Sequence, residues 1–384
     1  MKNIAVIMDI TDKSGGKLHM AISICNHLKK IKNYNFRFIT TFENSKKILD
    51  KKLNINTLLF NKNTFSKRLF NKLKKIFHFL PFKFPFEKFL IKEKIDLIFF
   101  LDPSPLIQSF ENIKNIYTIF DIEHRELKNL PEFDEKKNHN RDHDYNLAGK
   151  KSSKIIVGTK NLKNKISMIY KIDNSKILDL KFPPPITEIE EIDISKVEKN
   201  IYQTVKNSNY LFYPAQFWHH KNHIFIVESI YQLKKANKLD FKIVFTGHDK
   251  GNLKNIENLI QKKDLKNEFI IFDYVKDEEL NYLYKNCIAV IVPTLVAPHT
   301  FPLYEAFYFK KPIIYNSIIL DPEFKDNVIG LDIKNNNHLE EIIKKIKDKA
   351  YIKNLVEKNY DYFKKTFNQD NIIKQLSEIF KNII

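Results

Sequence analysis

The chain has 384 residues, a formal net charge of +19, 43% hydrophobic residues and 13% aromatic ones. That length allows two domains with full cores, and the apolar content excludes a disordered protein. The charge admits nucleic acid, an anionic membrane surface or a polyanionic substrate as partner, and by itself selects none of them.

Residues 2–10 form a nearly continuous apolar run, expected to be a first buried strand rather than a signal peptide. The loop 11–16 ends in Ser14-Gly15-Gly16, after which Leu18, Ala21, Ile22, Cys25 and Leu28 recur at helical spacing. A strand, a glycine turn and a helix are the opening unit of a parallel α/β sheet. Further strands are expected at 35–42, 55–60, 95–101, 115–120 and 154–158. Cys25 and Cys287 are the only cysteines, so a disulfide framework is absent and a reducing compartment is expected. No run approaches the ~20 apolar residues of a spanning helix, which makes the protein soluble or peripheral by expectation.

Residues 66–94 interleave basic side chains, among them Lys67, Arg68, Lys74 and Lys75, with eight phenylalanines counted from Phe65 to Phe89. Basic residues among exposed aromatics suit an anionic lipid surface. The competing reading is a helix pair whose phenylalanines are core and whose lysines are solvated. Lys181-Phe182-Pro183-Pro184-Pro185 then breaks the pattern, and an acidic stretch follows. The expected division is an amino-terminal domain 1–185, a linker 186–206, a second domain 207–360, and a terminal helix 361–384 packing back on the first domain. The second series has strands at 209–214, 241–246, 268–273, 288–292, 313–315 and 327–333, alternating with amphipathic helices.

Four strand-to-helix loops carry residues able to do chemistry. After the strand 288–292 comes an uncharged loop, and a helix opens near Pro302, where proline has no N–H to lose. Thr300 or Phe301 would cap it, and main-chain N–H groups from Thr300 through Phe301 and Leu303 to Tyr304 would form an anion site. Glu305, one turn in, could accept hydrogen bonds from vicinal hydroxyls. An ordinary loop and helix explains these residues as well. After 209–214 the sequence runs Tyr213-Pro214-Ala215-Gln216-Phe217-Trp218-His219-His220-Lys221-Asn222-His223. Its three histidines invite a metal reading, but no cysteine or neighbouring carboxylate completes a ligand set. Phe245-Thr246-Gly247-His248-Asp249 follows the next strand, with Gly247 suited to close backbone approach or to a plain tight turn. Asp273-Tyr274-Val275 precedes a helix, and Tyr274 could stack on a ring or be merely exposed. In the first half, Phe120-Asp121-Ile122-Glu123-His124-Arg125 ends a strand, with surface ion pairing as its ordinary explanation.

Together these segments resemble retaining GT-B glycosyltransferases of family 4 (glycosyltransferase group 1), in particular a mannosyltransferase-like subgroup. Residues Ala297 to Phe307 match the subgroup's Gly-Pro-Thr-Asn-x-Pro-x-x-Glu-Ala-Phe line, with Glu305 as the second acid of the family pair and Ala297 in place of the first. Pro214 to His223 match Pro-Ala-Gln-x-Trp-x-His-Lys-Asn-His closely. Phe245 to Asn252 match Phe-Thr-Gly-x-Asp-x-Gly-Asn, and Phe120 to Arg125 with Pro131-Glu132-Phe133 match His-Asp-Leu-Gln-His-Arg…Pro-Glu-Phe.

The resemblance implies two Rossmann-like parallel-sheet domains facing each other across a cleft, and transfer of a hexose from a UDP- or GDP-linked sugar with retention. It makes Lys221 the contact to the donor diphosphate and places Gln216 where most of the family has a second cation. Gly15 and Gly16 become the glycine pair near acceptor and donor phosphate, and Tyr274 and Val275 border the nucleobase. Asp121 and His124 are expected at the catalytic centre; Phe120 replaces the family histidine near the donor sugar, whose role is vacant or passes to His124, and Arg125 joins the basic residues on the acceptor side. No metal or cofactor is expected. The acceptor is expected to be a glycan or lipid-linked, in bacterial lipopolysaccharide or capsule synthesis, with a cytoplasmic protein attached peripherally to the inner face of the membrane. Two alternatives stand beside this: a nucleic-acid-binding protein, for which no groove-reading or aromatic RNA-binding signature is found, and an inactive GT-B scaffold.

Overall fold

The computed structural model describes residues 1–10, 16–61, 84–133, 135–184, 192–296 and 301–384, with the main chain alone at 135–137. The residues form two compact units, one of 1–122, 135–185 and 368–384, the other of 123–134 and 186–367.

The first unit is built on seven parallel strands: β1 (Lys2–Ile7), β2 (Tyr34–Thr40), β3 (Leu58–Leu59), β4 (Leu97–Phe100), β5 (Lys114–Thr118), β6 (Lys154–Val157) and β7 (Ile177–Asp179). Their order is β3-β2-β1-β4-β5-β6-β7, and every pairing is parallel. The second unit has β8 (Tyr210–Pro214), β9 (Lys242–Thr246), β10 (Phe269–Phe272), β11 (Ala289–Val292), β12 (Ile313–Asn316) and β13 (Ile329–Leu331), in the order β10-β9-β8-β11-β12-β13. These too are all parallel. Central strands such as β4 (Leu-Ile-Phe-Phe) and β11 (Ala-Val-Ile-Val) are buried at every position, as a parallel sheet covered on both faces requires.

In each sheet the order reverses beside its first strand, between β1 and β4 and between β8 and β11. Loops at the carboxyl ends of two such strands diverge to opposite sides and leave a crevice, the usual ligand position in open α/β sheets. Each expected strand is present, most of them shorter than the expected run, while β12 extends one residue further, to Asn316. Met8 and Ile10, for example, are fully buried beyond the end of β1, because burial continues past the last ladder bond. β7 was not expected. Its three residues carry too little pattern, and it exists by pairing with β6.

The stretch between the two strand series joins the second core through Val197, Ile201 and Val205, the latter two on the helix Lys199–Val205. At the other end, the helix Gln369–Lys381 belongs to the first unit, where Phe380 meets Tyr34 at 5.7 Å, Phe36 at 5.7 Å and Phe99 at 5.8 Å between ring centroids. Lys114 Nζ also donates to the carbonyl of Ile383 (2.6 Å).

Lys67, Arg68, Lys74 and Lys75 lie outside the described residues. Of the same basic and aromatic stretch, the helix Pro85–Lys92 is described. Its Phe86 and Leu90 are buried, and Phe86 stands 4.9 Å from Phe60 and 6.4 Å from Phe110. In this helix the phenylalanine serves the core while Lys88 and Lys92 are exposed.

Candidate functional site

The turn after β8 is held from several sides. Residues His219–Lys221 make a single 3-10 turn, and Asn222 adopts φ 57°, a left-handed conformation that asparagine tolerates. The Tyr213 hydroxyl donates to the Lys221 carbonyl (2.8 Å). The His220 carbonyl accepts from the Leu295 N–H (2.8 Å) and the Thr294 hydroxyl (3.1 Å). Asn222 Nδ2 donates to the Pro293 carbonyl (3.2 Å), and Asn316 Nδ2 to the Thr294 carbonyl (2.9 Å). The bonds of His220 and Asn222 stitch the loop after β8 to the loop after β11, across the point where the strand order reverses, and Asn316 ties the latter loop to the end of β12. Lys221 therefore sits on the same carboxyl edge as the loop leading into the Glu305 helix.

That helix runs Phe301–Tyr308 with Pro302 in its first turn, as its sequence implies, and Thr300 and Ala297 fall outside the described residues. Leu303, Tyr304, Ala306 and Phe307 face the core. Leu303 is fully buried, so what it can offer an anion is its main chain. Glu305 is 7% exposed, and its Oε2 accepts from the Tyr284 hydroxyl. Burial pushes the Glu305 carboxyl up to about 7, against the Tyr284 bond, which lowers it, and with Asp277 adding to the rise.

Gly247 has a structural reason to be glycine. Its φ is +151°, and a Cβ there would lie 2.6 Å from the Ala215 carbonyl oxygen and 2.8 Å from Gln216 Cα. The backbone it approaches is thus the loop that bears Gln216 and Lys221. Gly247→Ala should lower stability by about 1–3 kcal/mol through strain and displaced backbone, read as a lower midpoint in thermal unfolding; an unchanged midpoint would mean the loops are not so closely apposed. Gln216 accepts from Trp218 Nε1 (3.2 Å).

Tyr274 is half exposed and lies against the His248 ring, 4.9 Å between centroids and 12° between planes, with His248 Nδ1 3.3 Å from Asp273 Oδ1. This pair offers a flat aromatic surface at the carboxyl ends of β9 and β10. Val275 beside it is a core residue.

His223 is fully buried among Tyr213, Phe217 and Phe245, with centroids 4.7, 4.9 and 4.9 Å away. Burial drives its imidazole down to about 3, so it is neutral. His219 and His220 turn instead towards Glu132, a carboxylate invisible from the local sequence. Among the described residues no cluster of three His, Cys, Asp or Glu side chains has the geometry to hold a metal ion.

In the first unit, Gly16 opens the helix Gly16–Leu28 after β1, and Gly15 is outside the described residues. Lys17 Nζ on that helix lies 2.7 Å from Asp102 Oδ1, just past the end of β4. Burial raises the Asp102 carboxyl to about 6 in spite of Lys17. No motif marked this pair. Asp121 is ion-paired with Arg141, whose guanidinium also reaches the Tyr145 hydroxyl at 3.1 Å. Phe120 packs on Phe182 at 6.0 Å. His124 is buried and Arg125 exposed, both on the short helix Glu123–Glu126 that counts with the second unit, so Asp121 and His124 belong to different units.

Residues 195–367 match the family described as Glycosyl transferases group 1. No curated protein sequence matches the chain. Among solved structures, HepE of Anabaena, crystallised with UDP and glucose, aligns over 100% of both chains with a TM-score of 0.74 at 14% identity. A glycosyltransferase from Rickettsia africae aligns over 100% of this chain and 98% of its own, with a TM-score of 0.71 at 18% identity. WaaG, a glycosyltransferase involved in lipopolysaccharide biosynthesis, aligns over 99% of both chains with a TM-score of 0.63 at 12% identity. The fold is that of the GT-B glycosyltransferases, and residues 195–367 match the model of the glycosyl transferases group 1 family.

Proposed function

We propose that the protein is a retaining glycosyltransferase that moves a hexose from a UDP- or GDP-linked sugar to a hydroxyl of a glycan or lipid-linked acceptor. The observation that carries the reading is the stitched carboxyl edge of β8 and β11, which brings Lys221 and the Glu305 helix to one switch point inside a group 1 domain. The chemistry to be helped is departure of a nucleoside diphosphate. The bond from the anomeric carbon to the diphosphate oxygen breaks, and the acceptor oxygen bonds to the same carbon on the same face. The acceptor proton passes to the departing phosphate. Charge growing on that phosphate is met by the Lys221 ammonium and by N–H groups at the start of the Phe301–Tyr308 helix, so neither a metal nor a protein base is needed. Glu305 accepts from the ribose hydroxyls, and the Tyr274–His248 surface stacks on the base. Gln216 and Gly247 complete the donor side.

HepE with UDP and glucose supports a nucleotide-sugar donor, and WaaG supports surface polysaccharide synthesis as the setting. With a lipid-linked acceptor the protein works peripherally at the cytoplasmic face of an anionic membrane, a setting the +19 charge suits without selecting it. Among the described residues no helix is long and apolar enough to cross it.

Thermal unfolding of the whole chain tests the donor site. UDP or GDP in large excess over its dissociation constant should raise Tm by roughly several degrees, since ligand bound only to the folded state stabilises by about 3 kcal/mol at a hundredfold excess. A rise with DNA or RNA oligonucleotides and none with either nucleotide would overturn the proposal in favour of nucleic-acid binding.

A further inference from the structure

The segment 123–134 lies in the amino-terminal half of the sequence but packs as part of the second unit. Near its end stands Glu132, whose side chain is 5% exposed. Its Oε1 accepts from the His220 main-chain N–H (3.0 Å) and lies 2.9 Å from His220 Nδ1, which must be the donor because a carboxylate can only accept. Its Oε2 is buried, with His219 Nδ1 at 3.3 Å but off the direction of a hydrogen bond. Burial works to raise this carboxyl, but the His220 N–H and ring hold it below the usual range, so it is charged at neutral pH. The neighbouring Phe133 ring lies 6.5 Å from that of His220, whose ring also stacks on Trp218 at 6.1 Å.

The turn bearing Lys221 is therefore gripped from two directions. From one side the loop after β11 binds the His220 carbonyl, and from the other Glu132 binds the His220 N–H and ring. We propose that Glu132 is a positioning residue for Lys221: it fixes the His219–Lys221 turn so that the ammonium meets a nucleoside diphosphate. This rests on the donor-site reading above. Without the carboxylate, a buried N–H and an imidazole lose their acceptor, and the turn must move to satisfy them. A displacement of about 1 Å at a charge-stabilising group is enough to lose roughly a hundredfold in rate. Glu132 touches neither phosphate nor sugar, and its whole effect runs through the backbone next to Lys221.

Calorimetric titration of the full chain with UDP, GDP and the corresponding nucleosides decides the matter. Glu132→Ala should weaken binding of the diphosphate about tenfold, the loss expected when a charge-assisted contact is misplaced, and leave nucleoside binding unchanged. In a Lys221→Ala background the same substitution should add almost nothing, since the two act through one contact. Glu132→Asp keeps the charge but withdraws it by one methylene, and should show a smaller loss of the same kind; it takes over the test if the alanine variant does not fold. Diphosphate binding unchanged in the folded variants, an equal loss for nucleosides, or a full extra loss on top of Lys221→Ala would overturn the positioning role. Failure of the native chain to bind either diphosphate would overturn the donor-site reading itself, which is a separate result.

Discussion

Lys221→Ala is expected to reduce kcat/KM for a nucleotide sugar by about 10²–10³, the effect of removing one preorganised charge from an oxyanion-stabilising site, or roughly 2.7–4 kcal/mol. The expectation is this large because the position usually occupied by a second cation is Gln216, whose side-chain oxygen accepts from Trp218 and adds no positive charge. The substitution should leave the fold unchanged. The turn is held by its main-chain carbonyls and by Tyr213, Thr294 and Leu295, and none of these bonds uses the lysine side chain. Steady-state kinetics on sugar nucleotides, beside a thermal melt, checks both halves. A turnover rate near that of the native chain would remove the reason for assigning Lys221 to the diphosphate.

Glu305 should impose a pH dependence that Glu305→Gln abolishes. Its carboxyl titrates near 7 in the folded protein, against an ordinary value of 4.5, because burial disfavours the charge. Between these values the folded chain holds a proton that the unfolded chain has released. Stability contributed by the neutral acid is thus present below about 4.5 and is lost as pH rises through 7. Glu305→Gln should flatten that slope and leave the protein more stable above pH 7. Nucleotide binding should run the other way. An ionised carboxylate accepts more strongly from hydroxyls, so UDP or GDP affinity should increase as pH passes 7, and at pH 8 Glu305→Gln should lose about 10–100-fold, or roughly 1.4–2.7 kcal/mol. Parallel pH titrations of melting and of nucleotide binding give the two curves. A flat binding curve for the native chain would exclude a ribose contact by this carboxylate.

Much of the architecture could be read in advance because its determinants are local. A run such as Leu-Ile-Phe-Phe at 97–100 buries on both faces whichever strand adjoins it, and Pro302 suits a first helical turn in any setting. The match at Pro214 to His223 likewise depended on residues adjacent in the chain. The strand β7 was missed because three residues carry no usable period, and its pairing with β6 is what makes it a strand. Gly247 illustrates the opposite limit. Its residue type was conspicuous, but the backbone it clears, at Ala215 and Gln216, is set by how two loops meet.

By itself the sequence determined the alternation of strands and helices, the two series, and the residues lining the loops after β8 and β11, since each is encoded within about ten neighbouring residues. Tertiary structure alone decided which side chains those residues meet. Tyr284 reaches Glu305 across 21 positions and Glu132 reaches His220 across 88, and both contacts arise only when chain order is converted into sheet order. The physical reason is that burial and hydrogen bonding act through space. The same carboxylate is an ordinary surface acid or a group titrating near neutrality depending on what the fold packs around it.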